Sequence, residues 1–168
     1  MHRLSSGDVS ADTSVIVDFS LTDNIGLLFE LFANRMLVSD FVESELAAAD
    51  IELPGAKVVR LETEEEWSFL NDLRKMKPGL GTGELGALTV ARFRNAILLT
   101  NDKSARQTAE ELDLPYSGGI GILEFSCEVG KLSGNRAVQL LDDMLAAGAR
   151  ISADLVSTFR QRILGGEP

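Results

Sequence analysis

The sequence predicts an α/β protein, a three-layer α/β/α sandwich around a mainly parallel central sheet, continued by a helical C-terminal tail. Three observations carry that expectation. Short runs rich in apolar and β-branched residues, such as SVIVDF at 14–19, KVVRL at 57–61 and AILLT at 96–100, read as strands buried in a parallel sheet. Between them lie stretches with apolar residues at three- and four-residue spacing, the pattern of helices with one buried face. The two kinds of segment alternate, and alternation with right-handed crossovers builds a layered sheet.

Taken in order, residues 1–13 read as a flexible leader and residues 14–168 as one domain that includes the C-terminal helices. The strand at 14–19 is followed by a helix over about 23–34, on which Ile25, Leu28, Leu31 and Phe32 form the stripe. RMLVS at 35–39 is a second strand, and Asp40 is placed to cap a helix over about 41–49. After the break at Pro54 and Gly55 come the third strand and a helix opened by a Thr63–Glu66 capping box, with Trp67 on its core stripe. The breaker at 78–83 precedes a helix from Glu84 to about Asn95; the strand 96–100 follows, and Asp102 starts a helix to about Leu112. Residues 118–164 read as helical, interrupted near 130–134 and at Gly148. Their apolar residues Val138, Leu141, Leu145, Leu155 and Phe159 cover the core by default, or form a dimer face.

A length of 168 residues suits one domain. With a single cysteine, Cys127, no intrachain disulfide forms, in keeping with a reducing compartment, and Cys127 reads as a small buried residue. No apolar run approaches the roughly 18 residues of a membrane span, so the expectation is a soluble, cytoplasmic protein with no membrane partner. The net charge of −10 argues against direct binding of a phosphate backbone. That objection depends on where the acids sit.

In an open parallel sheet, ligands bind beyond the carboxyl ends of the strands. Asp18 is read at the end of the first strand and Asp102 just after the strand 96–100, so both face one rim. Glu84 follows a Gly-rich turn at a helix start, where it also complements the helix dipole. Glu45 lies one turn inside its helix, beside Glu43 and Asp50, and is either a ligand or part of a solvated face. Clustered carboxylates suit Mg²⁺ or Mn²⁺, which prefer oxygen ligands. Such an ion activates water and neutralises charge on a phosphoryl oxygen, and it reverses the sign of the local field.

Other chemistries lack their residues. The glycines around Gly81 and Gly83 have no Lys-Ser/Thr pair after them, so a Walker site is excluded. Ser20 stands where an Asp-x-Asp phosphatase needs an acid. A phosphoacceptor receiver domain would require an acid pair after the first strand. Arg106, four residues after Asp102, is read as its ion-pair partner or as a phosphate contact.

VIVDFS at 15–20, VESEL at 42–46, GTGELGAL at 81–88 and LLTNDKSAR at 98–106 resemble, in order and spacing, the acidic motifs of PIN domains. The likeness is strongest to the group related to the VapC toxins of toxin–antitoxin pairs, and GGIGILEF at 118–125 extends it to a subgroup of PIN-like proteins. The resemblance implies a metal-dependent ribonuclease acting on single-stranded RNA. It makes Asp18, Glu45, Glu84 and Asp102 the acidic quartet, with Asp18, Glu84 and Asp102 as ligands of Mg²⁺ or Mn²⁺. Ser20, Thr100, Asn101 and Arg106 become supporting or substrate-binding groups; Asn101 stands where many of that subgroup carry another acid. It also implies a homodimer and a small antitoxin partner. The competing expectation is a catalytically silent PIN-fold binding module.

Overall fold

The computed structural model describes residues 1–165; residues 166–168 of the expected domain lie outside that range. Within it a five-stranded sheet runs in the order β3-β2-β1-β4-β5 with every pairing parallel. The strands are β1 (Val9–Ala11), β2 (Met36–Ser39), β3 (Lys57–Val59), β4 (Ile97–Leu99) and β5 (Tyr116–Ser117). The helices are α1 (Thr13–Leu21), α2 (Ile25–Phe32), α3 (Asp40–Ala48), α4 (Glu64–Met76), α5 (Thr82–Phe93), α6 (Lys103–Glu111), α7 (Gly119–Glu128), α8 (Gly134–Ala146) and α9 (Ala153–Gly165).

The expected three-layer sandwich is present, but its first strand is elsewhere. SVIVDF forms α1, and the central strand β1 lies inside the segment read as a flexible leader. The apolar run misled because a short buried helix and a short buried strand share one signature. Val15, Ile16 and Phe19 are all fully buried, at spacings that fit a helix packed on the sheet. Packing overrides the weak helix propensity of the β-branched residues. The true strand, Val-Ser-Ala, hides behind its polar centre: Ser10 is wholly buried and donates to the Ala87 carbonyl at 2.8 Å. The two-residue strand β5 gave no apolar run at all.

Alternation along the strands sorts the core into two layers. Val9, Ala11, Met36, Val38 and Leu99 face α1, α2 and the tail helices. Leu37 and Leu98 face α4, α5 and α6. The tail covers the first layer: Leu141 and Phe159 are fully buried there, whereas Leu155 is 42% exposed. Trp67 is also 41% exposed, its ring edge-on to Phe41 and its indole N–H donating to Leu61. Cys127 is half-buried. Ser39, rather than Asp40, caps α3 through the Val42 N–H. Among the described residues no helix is long and apolar enough to cross a membrane.

Candidate functional site

The strand order changes direction at β1, whose neighbours are β2 and β4. A crevice opens beyond the ends of such strands. The residues that follow β1 and β4 are Asp12 and Thr100-Asn101-Asp102.

Asp12 is the acid at the strand end. It is only 2% exposed, and one carboxylate oxygen accepts from Ser14 Oγ at 2.9 Å and from Thr100 Oγ1 at 2.8 Å. Burial pushes its carboxyl above the ordinary value, and the negative charge of Asp102 adds to the rise, while the hydroxyl and backbone donors oppose it. Thr100 Oγ1 also accepts the Asp102 N–H at 3.1 Å, so one hydroxyl ties the two strand-end acids together. Asp102 caps α6 through the Ala105 N–H at 2.7 Å.

Glu84 sits in the first turn of α5, where its carboxylate accepts the Gly81 N–H. Burial raises its carboxyl, and Asp12, Asp102 and Glu45 raise it further. Three other acids thus act on the Glu84 carboxylate. Glu45 is drawn in from α3: one oxygen accepts the Gly83 N–H at 3.1 Å, and the other accepts the Thr13 hydroxyl. A Cβ at position 83 would lie 2.5–2.8 Å from the Glu45 carboxylate, so only glycine admits this contact. Glu45 itself is exposed, so these bonds tie its carboxylate to the start of α5 while it stays on a solvated face.

Asp18 does not end a strand. It lies within α1 and lines a cleft of about 290 Å³ together with Ser14, Glu84, Asn101, Asp102 and Arg150. Asn101 Nδ2 donates to it at 2.6 Å; burial raises its carboxyl and this bond opposes the rise. Asp18 is thus an acid on the wall of the cleft, and Asp12 occupies the strand-end position assigned to it from sequence. Ser20 stands near the end of α1 and makes no side-chain bond to the cleft among the described residues. Arg106 forms no ion pair with Asp102 among the described residues and lines a neighbouring pocket instead.

Sequence reasoning missed two residues. Asp12 was legible in Asp12-Thr13-Ser14, an acid and two hydroxyl residues at the head of an apolar helix, which is a helix-start signature. Arg150 had no local signal: only the path of the α8–α9 connection brings it to the acids.

The donors are all oxygens, a set that suits hard divalent cations. Among the described residues no three acidic, histidine or cysteine side chains converge closely enough to form a ready-made coordination shell. Mg²⁺ needs none, because it keeps several waters and is commonly held by one or two carboxylates with a phosphate. Buried like charges with raised carboxyls also favour a cation. The residues therefore fit a hydrated divalent ion.

A family model described as PIN domain matches residues 8–164. No curated protein and no solved structure gives a significant match.

Proposed function

The chain belongs to the PIN-domain family, whose members are in general nucleases that use divalent metal ions, and on that premise we propose that the cleft is the centre of a Mg²⁺- or Mn²⁺-dependent endoribonuclease acting on single-stranded RNA. The observation that supports the reading is that Asp12 and Asp102 follow the ends of β1 and β4, joined through Thr100, with Glu84 lining the same cleft as Asp102 and Glu45 bonded to the start of α5.

In this reading Asp12 and Asp102 are the principal ligands, and Glu84 joins directly or through water. A bound ion would polarise a phosphoryl oxygen and supply water closer to hydroxide. The chain's own groups do the positioning. Thr100 and Ser14 hold the Asp12 carboxylate in place. Thr13 and Gly83 anchor Glu45. Asp18, fixed by Asn101, stands on the cleft wall, where its carboxylate can orient water or substrate. Arg150 offers a cation to a phosphate entering an otherwise acidic cleft.

The likeness to VapC toxins supports the further reading that this is the toxin of a toxin–antitoxin pair, forming a homodimer and restrained by a small antitoxin. The test is cleavage of single-stranded RNA by the purified protein with Mg²⁺ or Mn²⁺, with Asp102→Asn as control. Metal-dependent cleavage that the variant loses is expected. Wild-type protein inert with every divalent ion would overturn the nuclease reading and leave a binding module.

A further inference from the structure

Next to the acidic cleft, and separated from it by Asn101, lies a second pocket of about 350 Å³. In a chain of net charge −10, no acidic residue lines it, while Arg3 and Arg106 do. Neither arginine has an ion-pair partner among the described residues. Gly118, Gly119 and Ile120, in the turn that starts α7, also line it.

That turn is open to an anion. Its N-cap residue is Gly118, which has no side chain to cap with. Asn101 Oδ1 takes the Gly119 N–H at 2.8 Å. The N–H groups of Ile120 and Gly121 have no partner among the described residues, as the first turn of a helix leaves them. A Cβ at Gly118 would stand 3.0 Å from Asn101 Oδ1 and 3.3 Å from the Thr100 carbonyl, with the Arg106 guanidinium in ordinary contact at 3.9 Å.

A second observation points to a ligand independently. Ser117, at the end of β5, lines the same pocket, is 2% exposed, and its hydroxyl has no hydrogen-bond partner. The hydroxyl is directed at the first turn of α7: a Cβ at Gly121 would lie 2.1 Å from Ser117 Oγ. A buried hydroxyl without a partner is costly. Arg3, Arg106 and Ile120, whose N–H is unpartnered, line the same pocket, and together with the hydroxyl they make a donor set of the kind that recognises a phosphate.

We propose that the first turn of α7, with Ser117, Arg106 and Arg3, is a phosphate subsite that holds the backbone of the RNA strand next to the cleft. The assignment rests on the reading of the cleft as RNA-binding. Asn101 couples the two places, with its Nδ2 on Asp18 and its Oδ1 on the α7 turn. The subsite anchors the strand without metal, so the acidic cleft need attract only the phosphate to be cut.

The test uses the full chain in EDTA, so that no cleavage occurs and no metal contributes. ¹⁵N-labelled protein is titrated with a single-stranded oligoribonucleotide and, separately, with inorganic phosphate. Anisotropy gives RNA affinity over a salt series for wild type and Arg106→Gln. The proposal expects the Ile120 and Gly121 amide signals to move with RNA and with phosphate. It expects the Arg106→Gln salt slope to fall by about one, as loss of a phosphate contact requires. Amides unmoved by RNA, or an unchanged slope, would overturn it. Movement with inorganic phosphate alone would also overturn it, by making this a free-anion site. Asp102→Asn should retain every one of these shifts. Loss of nuclease activity and loss of the subsite are therefore read separately.

Discussion

Thr100→Val replaces one hydroxyl by a methyl of nearly the same shape at a fully buried position. In the native protein that hydroxyl donates to Asp12 at 2.8 Å, accepts the Asp102 N–H at 3.1 Å and lies 3.3 Å from Ser14 Oγ. A hydrogen bond to a charged group contributes about 1.5–3 kcal/mol. The unpaired Asp102 N–H adds less than a fully buried group would, because Asp102 is half-buried. The new methyl returns up to about 0.8 kcal/mol of apolar burial. The net loss is about 0.7–3 kcal/mol, or roughly 1–12 °C in Tm for a domain of this size. The loss should be greatest on the alkaline side of the raised Asp12 carboxyl, where it is ionised. It should shrink on the acid side, where a protonated carboxyl needs one donor fewer. Differential scanning calorimetry over a pH series measures both, and Thr100→Ser, which keeps the hydroxyl, should recover most of the loss at the alkaline end. A Thr100→Val protein that melts like wild type throughout, or loses the same amount at every pH, would refute the role given to this hydroxyl.

Three further outcomes follow from the same geometry. Asp12, Asp18 and Glu84 all hold protons more tightly folded than unfolded. Their contribution to stability is fully present below the ordinary carboxyl values of 3.8 and 4.5 and is lost as pH rises through the elevated folded values. The metal-free Asp12→Asn protein should therefore gain on wild type as pH rises through that window, by melting curves; a constant difference would contradict this. Mn²⁺ at about a hundred times its Kd should add about 2.7 kcal/mol to the wild type at pH 7. Gly83→Ala drives a Cβ into the Glu45 carboxylate, an exposed side chain that can swing away, so it should lower stability by no more than about 1 kcal/mol, the worth of the lost bond, and free Glu45 from the Gly83 N–H. Denaturant titration checks the first, and loss of slow exchange at the Gly83 amide checks the second.

The layered parallel architecture could be read from the sequence because three of the five strands, β2, β3 and β4, and their helices follow strong local rules. The boundaries of α4, α5 and α6 are set by Thr63, the Gly81 turn and Asp102, and each is visible as a residue pattern. The first strand was not, because its burial comes from its central place in the sheet. Ser10, polar in isolation, is satisfied by a carbonyl 77 residues away. That single misplacement carried the first acid with it: Asp18 was put where Asp12 stands. Glu84 and Asp102 could be placed because each is fixed by the helix start it caps or complements. Glu45 became a site residue only through Gly83, a contact between distant segments. Arg150 and the α7 turn depend on where the tail folds back, which no local pattern encodes.

The central claim is that the acids around Asp12 hold a divalent ion. It is tested most directly by Mn²⁺ binding, measured by electron paramagnetic resonance, to wild type, Asp12→Asn and Asp18→Asn. The account predicts that Asp12→Asn weakens Mn²⁺ binding by about 10–100-fold, at least as much as losing a supporting residue at a metal site. Asp18→Asn, on the cleft wall, should change it only a few-fold. Wild-type affinity retained by Asp12→Asn would contradict the claim.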